Sequence, residues 1–456
     1  MASVHFNEYW HLVADAGLEL LRSRFQSAKE PSQNLYVLCE ELLSNQGEAS
    51  GIALAMNIVE QLRSLDDESR LAFFESIYSK FDVDHQTVLT AAEDFCRNQD
   101  QKTLRRLIQG TEPRRQELFR RINMAPGGTR AIVELRSELL KVRTDHKHLG
   151  VIDLDLKHLL SSWFNRGFLT LEQINWETPA VVLEKLIEYE TVHEMKGWED
   201  LRGRLADDRR CFAFFHPTLP NEPLIFVEVA LVKGLSDSIR PIIDTDRPVD
   251  NPKLADTAIF YSINNCQTGL RGVSFGNFLI KQVVQKLAQE LPNLKNFATL
   301  SPIPGFSNWF DLALDQPQRF GITSRDSNAL LGFLADGGFT NRKPPESLKP
   351  IFFRLAAYYL AFEKHKDKPL DPVARFHLRN GASLKRINWH ADDSVKGLSQ
   401  SAGILANYVY SPNTIVQNHE NYVQGKKLAI SKDIIDLVPK KLRNLSAKNN
   451  AAVLKR

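Results

Sequence analysis

Hydrophobic and polar positions along the chain fall into two regimes. Between Glu8 and Phe168 apolar residues recur at helical spacing, with little of the alternation that marks strands. Leu12, Ala16, Leu20 and Leu21 form one stripe, and Leu35, Leu38, Leu42 and Leu43 form another. Ser64, followed by Asp66, Asp67 and Glu68, suits the start of a further helix with acids in its first turn. Asp84 opens the next. Ala125-Pro-Gly-Gly128 then breaks the pattern before a helix capped by Thr129 and carrying Ile132, Val133, Leu135, Leu139 and Leu140. The first third therefore predicts an all-helical bundle.

From Gly167 the pattern changes. After a helical connection from Pro179 to Tyr189, apolar runs predict strands over 210–215, 223–232, 257–263 and 296–301. A polar excursion runs from Lys233 to Lys253. Between the last two strands Phe278, Leu279, Val283, Leu287 and Leu291 predict a helix that begins near Ser274 and stops before Pro292. The order β, β, β, α, β implies an α+β layer with its central helix on a mostly antiparallel sheet. Asn308 to Tyr410 reads as mainly helical. Lys426 to Arg456 reads as a weak amphipathic helix (Ile430, Ile434, Ile435, Leu437) and a frayed basic tail.

Composition narrows the function classes. A chain of 456 residues accommodates two or three domains, and the change of pattern divides it into a helical part, 1–168, and a mixed strand and helix part, 169–456. A formal net charge of +3 is too weak to argue for nucleic acid. The doublets Arg105-Arg106, Arg114-Arg115 and Arg120-Arg121 interleave with Leu107, Leu118 and Ile122, but Glu112 and Glu117 favour an ordinary charged helix face. No apolar run approaches a membrane span, and the first residues lack the basic start and apolar core of a signal peptide. Cys39, Cys96, Cys211 and Cys266 are scattered, which disfavours a zinc site or disulfide framework and fits a reducing, cytoplasmic setting. His146 and His148 alternate without a neighbouring ligand cluster and read as a solvated helix end.

The chemistry concentrates between the last two predicted strands. After Asn264-Asn265 comes Gly269-Leu-Arg-Gly-Val-Ser-Phe-Gly276, and then the helix. Strand, glycine turn and helix together suit a phosphate: glycine lets the backbone approach, free N–H groups and the helix dipole point at the anion, and Arg271 adds charge. The run lacks the GK[ST] of a P-loop and the spacing of GxGxxG. Set as Arg-Gly-x-Ser-x-Gly-x-x-Leu, it loosely resembles the pyrophosphate loop of the GCN5-related acetyltransferase fold, which implies coenzyme A as the anion. The plainer reading is a helix entry whose glycines only make a turn.

The wording of this half is similar to one family, the malonyl-CoA decarboxylases. The similarity lies in His216-Pro-Thr-Leu-Pro-Asn-Glu-Pro-Leu, Phe260-Tyr-Ser-Ile, Gly269-Leu-Arg-Gly-Val-Ser-Phe-Gly-Asn-Phe-Leu-Ile-Lys281 and Leu300-Ser-Pro-Ile-Pro-Gly-Phe306. It continues in Asp371-Pro-Val-Ala-Arg-Phe-His-Leu-Arg-Asn-Gly-Ala382, Arg386-Ile-Asn-Trp389 and Leu405-Ala-Asn-Tyr-Val-Tyr410. The resemblance implies an acetyltransferase-like catalytic domain with extra C-terminal helices. In it the strands flanking the central helix splay apart and admit the thioester arm. It implies Ser301 and His377 as catalytic residues, with Tyr410 beside them. It also implies Arg271, Gly272, Val273, Ser274, Phe275, Gly276 and Asn277 as the loop that binds the coenzyme. Some members carry a glutamate where this chain has Ser274, a hydroxyl that can hydrogen-bond but cannot serve as a carboxylate.

The implied reaction turns malonyl-CoA into acetyl-CoA and carbon dioxide through an enolate. The thioester takes up the electrons, so neither metal nor organic cofactor is required. The family resemblance also implies a homo-oligomer, dimers pairing into a tetramer, assembled through the helical domain. Without the resemblance, Ser301 is a strand-end hydroxyl and His377 and Tyr410 are core residues. His216 and His390 are then rival bases, and Arg386 and Lys281 face either the coenzyme phosphates or solvent. Two other functions use the same features: acyl transfer from coenzyme A to an amine, and non-catalytic acyl-CoA sensing.

Overall fold

A computed structural model describes residues 31–45, 47–273, 279–341 and 343–444. The stripe from Leu12 to Leu21 lies outside them. The chain forms two compact units. The first holds the described residues up to Thr170 together with Phe215–Leu224 and the described part of 265–275, and the second holds the rest.

Among the described residues of the first unit eight α-helices follow one another: α1 (Pro31–Ser44), α2 (Glu48–Ser64), α3 (Asp67–Lys80), α4 (His85–Asn98), α5 (Gln101–Gly110), α6 (Arg114–Asn123), α7 (Gly128–Val142) and α8 (Gly150–Trp163). Their stripes bury Leu35, Leu38, Phe73, Phe74, Leu118, Ile132, Leu139 and Leu156 in one core. Asp84 caps α4 as expected, accepting from Gln86 N and Thr87 N. Two other caps differ from expectation. Ser64 ends α2, and Asp66 starts α3 by accepting from Ser69 N at 2.8 Å. Thr129 lies inside α7, whose cap is Gly127 at φ +77°, and its hydroxyl bonds Asn123 Oδ1 at 2.8 Å. In both cases a neighbour better suited to the local backbone takes the cap, a carboxylate at one site and a left-handed glycine at the other. Most of the basic doublets are spent locally: Arg114 on Glu40, Arg115 on Asp82 and Asp155, Arg120 on Glu112, Arg121 on Glu117. Glu75, from α3, joins His148 at 2.9 Å on the exposed surface, a partner that local sequence did not reveal.

The second unit is built on a seven-stranded sheet of order β1-β2-β3-β4-β5-β9-β8. Its strands are β1 (Thr170–Ile174), β2 (Arg209–Phe215), β3 (Ile225–Val232), β4 (Thr257–Asn265), β5 (Asn296–Thr299), β8 (Ser383–Asn388) and β9 (Leu405–Val409); β6 (Lys364–His365) and β7 (Lys368–Pro369) form a separate hairpin. β2 and β3 pair antiparallel, as do β5 with β9 and β8 with β9. β4 and β5 are parallel, which requires a crossover, and α9 (Leu279–Glu290) supplies it. One face carries Ala230, Ile259, Tyr261, Ala298, Leu300 and Leu405, buried with Ile239, Ile242 and Ala391. This is the β, β, β, α, β layer predicted, with β4 and β5 as its parallel pair.

β8 and β9 correct the expectation of a mainly helical stretch up to Tyr410. A register shift between Leu384 and Arg386 breaks the alternation in β8. β9 is buried on both faces, so it shows none.

Candidate active site

β4 and β5 run side by side from Thr257 opposite Asn296 to Phe260 opposite Thr299, and Leu300 N still bonds Phe260 O at 3.0 Å. There they part. Ser301 instead exchanges both backbone bonds with Ala406 of β9, at 2.9 and 2.8 Å, and Pro302 then removes the N–H that a longer ladder would need. β4 continues to Asn265 without β5. Its polar positions Ser262 and Asn264 find Glu190 instead, at 2.6 and 2.8 Å. Alternate residues of a strand share a face, so Thr299 and Ser301 project together. Ser301 Oγ lies 2.8 Å from Thr299 Oγ1, which also accepts from Tyr408 N at 3.2 Å.

His377 arrives on α10 (Pro372–Arg379). Asp371 caps this helix through Ala374 N at 2.7 Å, and Pro372 occupies the first position, where a missing N–H costs nothing. The helix ends at Gly381, φ +87°, where a Cβ would come within 2.1 Å of Ile415 O. Only glycine can turn the chain there. His377 Nε2 stands 3.1 Å from Ser301 Oγ, and Nδ1 stands 2.8 Å from the Tyr410 hydroxyl. The imidazole stacks on Tyr408 at 4.7 Å, and Tyr410 packs edge-on to Phe260 at 6.3 Å. Ser301, His377, Tyr408 and Tyr410 are all buried.

Burial sets the protonation states. It holds the His377 imidazole down to about 3, so the ring is neutral, and it keeps the Tyr410 phenol protonated. A neutral imidazole has one N–H and one lone pair, so the chain Tyr410–His377–Ser301–Thr299 can be ordered in either direction. In one order the phenol donates to Nδ1, Nε2–H donates to Ser301 and Ser301 donates to Thr299. In the other every donor reverses. A continuous run of exchangeable protons is what a relay needs.

The glycine turn belongs to the first unit. Arg136 of α7 pins it: Nη1 donates to Gly269 O at 2.6 Å and Nη2 to Arg271 O at 2.9 Å, while Nε pairs with Asp153 at 2.8 Å. A Cβ at Gly269 would lie 1.9 Å from Val133 O, so the turn rests directly on the α7 backbone. Gly272 has φ +78°, and Lys157 Nζ lies 3.3 Å from where its Cβ would be. The Arg271 side chain is exposed and Val273 is buried. Ser274, Phe275, Gly276 and Asn277 lie outside the described residues.

The rival bases have structural partners. His216 is buried between Phe164 and Phe168, with Thr218 Oγ1 at 2.7 Å and Trp163 O at 3.1 Å. His390 stacks on Trp389 at 4.5 Å and meets Pro344 O at 2.8 Å. Arg386 spends its donors on Asn407, Leu235 O and Ser236 O, which ties a loop to the sheet. Sequence reasoning missed Thr299, Tyr408 and Arg136. The period of two would have found Thr299 and Tyr408, each two residues from a site residue. Nothing in the spacing announces Arg136.

The chain is similar to known proteins in both sequence and fold. The model of the malonyl-CoA decarboxylase C-terminal domain matches residues 167–449, and that of the N-terminal domain matches residues 81–164. Malonyl-CoA decarboxylase, mitochondrial, of Mus musculus is 39% identical over 357 residues, 73% of each chain. Crystal structures of malonyl-CoA decarboxylases from Rhodopseudomonas palustris and Agrobacterium vitis are each 45% identical and cover 89% of this chain. Their TM-scores are 0.85 and 0.84, and the match covers 99% and 100% of those chains.

Proposed function

The chain belongs to the malonyl-CoA decarboxylase family, and from that premise we propose that its buried Ser301–His377 pair converts malonyl-CoA and a proton to acetyl-CoA and carbon dioxide. The 3.1 Å contact of that pair, at the point where β4 and β5 part, is the observation that carries the reading. The C–C bond to the carboxylate breaks, its electron pair moves into the thioester, and the resulting enolate takes a proton at carbon. Ser301 orients the carboxylate out of the thioester plane, so that the breaking bond overlaps the carbonyl π-system. When Ser301 turns to the substrate, the neutral His377 Nε2–H that met it donates to the developing enolate oxygen, in a site dry enough to make that bond strong. The Ser301 hydroxyl is the proton carrier. Its proton is replaced through His377 and Tyr410, and solvent restores the balance.

For the coenzyme we assign Arg271, Gly272 and Val273, with Ser274, Phe275, Gly276 and Asn277 following in the chain. The support is a turn whose backbone is fixed by Arg136 and which has two cations, Arg271 and Lys157, on hand. The decisive assay follows acetyl-CoA, carbon dioxide and free thiol from malonyl-CoA and metal-stripped protein. Stoichiometric acetyl-CoA is expected. Free thiol appearing only with an added amine would move the protein to the acyltransferases, and saturable binding without turnover would make it a sensor.

We assign assembly to residues 1–168 and catalysis to 169–456, with dimers pairing into a tetramer. α4 and α5 support the assembly role. They pair with each other, bury only Ala91 and Thr103 between them, and leave Leu89, Leu104 and Ile108 exposed. Such a stripe on a helical hairpin fits a second copy. Leu104→Glu combined with Ile108→Glu is expected to lower the mass seen by light scattering to that of a smaller species. An unchanged mass would remove the hairpin from the interface. We place the protein in the cytoplasm, a reducing compartment that suits four cysteines scattered along the chain without paired spacing. No helix among the described residues is long and apolar enough to cross a membrane.

A further inference from the structure

β4 outruns its neighbour. After Phe260 pairs with Thr299 the strand continues through Ser262 and Asn264, on the face that carries Phe260 and, across the ladder, Thr299 and Ser301. Phe260 packs against Tyr410 on that face. The two polar side chains beyond it meet one buried carboxylate, Glu190, which follows the helix Ala180–Tyr189. Each of its oxygens takes two donors. Oε1 accepts from Val192 N at 2.7 Å and from His193 N at 2.8 Å, which folds 190–193 into a tight turn. Oε2 accepts from Ser262 Oγ at 2.6 Å and from Asn264 Nδ2 at 2.8 Å. Asn264 Oδ1 returns the contact, accepting from Thr191 N at 3.0 Å and from Thr191 Oγ1 at 2.8 Å. The turn is anchored in its own right: Arg204 donates to His193 O at 3.0 Å and pairs with Glu228 of β3 at 2.9 Å. Four converging donors require a group that only accepts, which a carboxylate is and an amide is not.

The main chain of the same stretch faces the place that β5 has left. Phe260 turns its N–H and C=O towards β5 and still receives Leu300 N. Ser262, two residues on, turns the same way. In continued register its C=O would meet residue 302, a proline without an N–H, and Ser301 has given its backbone to Ala406. A strand edge of this kind pairs with another extended chain of amides, and the arm of coenzyme A carries secondary amides on the way to its thioester. We infer that Glu190 is a positioning residue for the substrate: through Ser262 and Asn264 it keeps the free half of β4 extended beside Ser301, so that its edge receives the coenzyme arm. The inference rests on the reading of malonyl-CoA as the substrate, and it gives Glu190 no part in bond breaking. Apolar side chains could fill the same face without burying a charge. The carboxylate adds direction, because it fixes two alternate residues of one strand at once.

Glu190→Gln keeps the size of the side chain and the acceptor for Val192 and His193, but it turns an amide donor towards Ser262 and Asn264, which themselves donate. In the full-length protein Kd for coenzyme A and KM for malonyl-CoA are expected to rise by at least about five-fold, with kcat changed by less than about three-fold, the pattern of binding lost equally from ground and transition states. Two probes separate positioning from a general loss of order. Pantetheine, the arm without its nucleotide, should lose affinity by the same factor as coenzyme A. Adenosine bisphosphate, the nucleotide end without the arm, should bind variant and parent alike. A merely structural role weakens both probes or neither, and either result overturns the inference. If Glu190→Gln does not fold, Ser262→Ala decides, since it removes one donor and leaves the carboxylate with Asn264. A loss of about three-fold confined to pantetheine and coenzyme A supports the role, and unchanged affinity for both sinks it. These readouts are equilibrium affinities. A parent that binds coenzyme A yet never decarboxylates malonyl-CoA would therefore sink the functional reading and leave the role of Glu190 standing.

Discussion

Alanine at His377 is expected to lower kcat by roughly a thousand-fold while leaving KM for malonyl-CoA within a few-fold of the parent, the range seen when a positioned proton-transfer or oxyanion-stabilising group is lost. The ring is the central link of the relay, 3.1 Å from Ser301 and 2.8 Å from Tyr410, so no neighbour can take its place. Its removal leaves the buried Tyr410 hydroxyl without a partner, at a cost of about 1–3 kcal/mol, while Ser301 keeps Thr299. Tm must therefore be measured beside the rate. Ser301→Ala should cost about a hundred-fold or more with less effect on stability, because Thr299 Oγ1 still accepts from Tyr408 N. Between about pH 5 and 9 neither residual rate should show a limb from His377, whose neutral form is fixed by burial. Acetyl-CoA production by His377→Ala within about ten-fold of the parent would remove the imidazole from the chemistry.

Legibility followed the range of the interactions. The helices of the first unit were readable because each buries one stripe, and Leu35, Leu38 and Ile132 lie in the core as their spacing predicts. β2 to β5, buried on both faces, were readable as continuous apolar runs, and the crossover helix by its stripe. β8 and β9 were not: a register shift breaks the period of two in β8, and the buried Asn407 interrupts the short apolar run of β9. Caps were half readable: Asp84 wins its site outright, whereas Ser64 and Thr129 lose theirs to groups that fit the backbone better. At the site, Ser301, His377 and Tyr410 stood out only through whole runs resembling a family. Spacing alone cannot join residues that are 76 and 33 positions apart in the chain. Their supports were hidden for the same reason. Arg136 in α7 looks like one more charge on an amphipathic helix.

Arg136→Met should be the most damaging change outside the Ser301–His377 pair, and it should act on binding. The guanidinium is buried and its fork serves three acceptors: Asp153, Gly269 O and Arg271 O. Breaking a buried pair by removing one partner costs about 3–5 kcal/mol. Arg143 still reaches Asp153, which places the loss near the lower end. At roughly 2–4 °C per kcal/mol, Tm should fall by on the order of 10 °C. Two turn carbonyls lose their donors at the same time, so the backbone that presents Arg271 is no longer held against α7. If that turn grips the coenzyme diphosphate, KM for malonyl-CoA and Kd for free coenzyme A should both rise by at least about ten-fold, while kcat at saturation stays within a few-fold, the pattern of lost uniform binding. Lysine in place of Arg136 should recover part of the stability through Asp153 but little of the affinity, because an ammonium cannot span both carbonyls. A variant that loses Tm yet binds coenzyme A as the parent does would leave Arg136 as a support of the helical unit and take the diphosphate away from this turn.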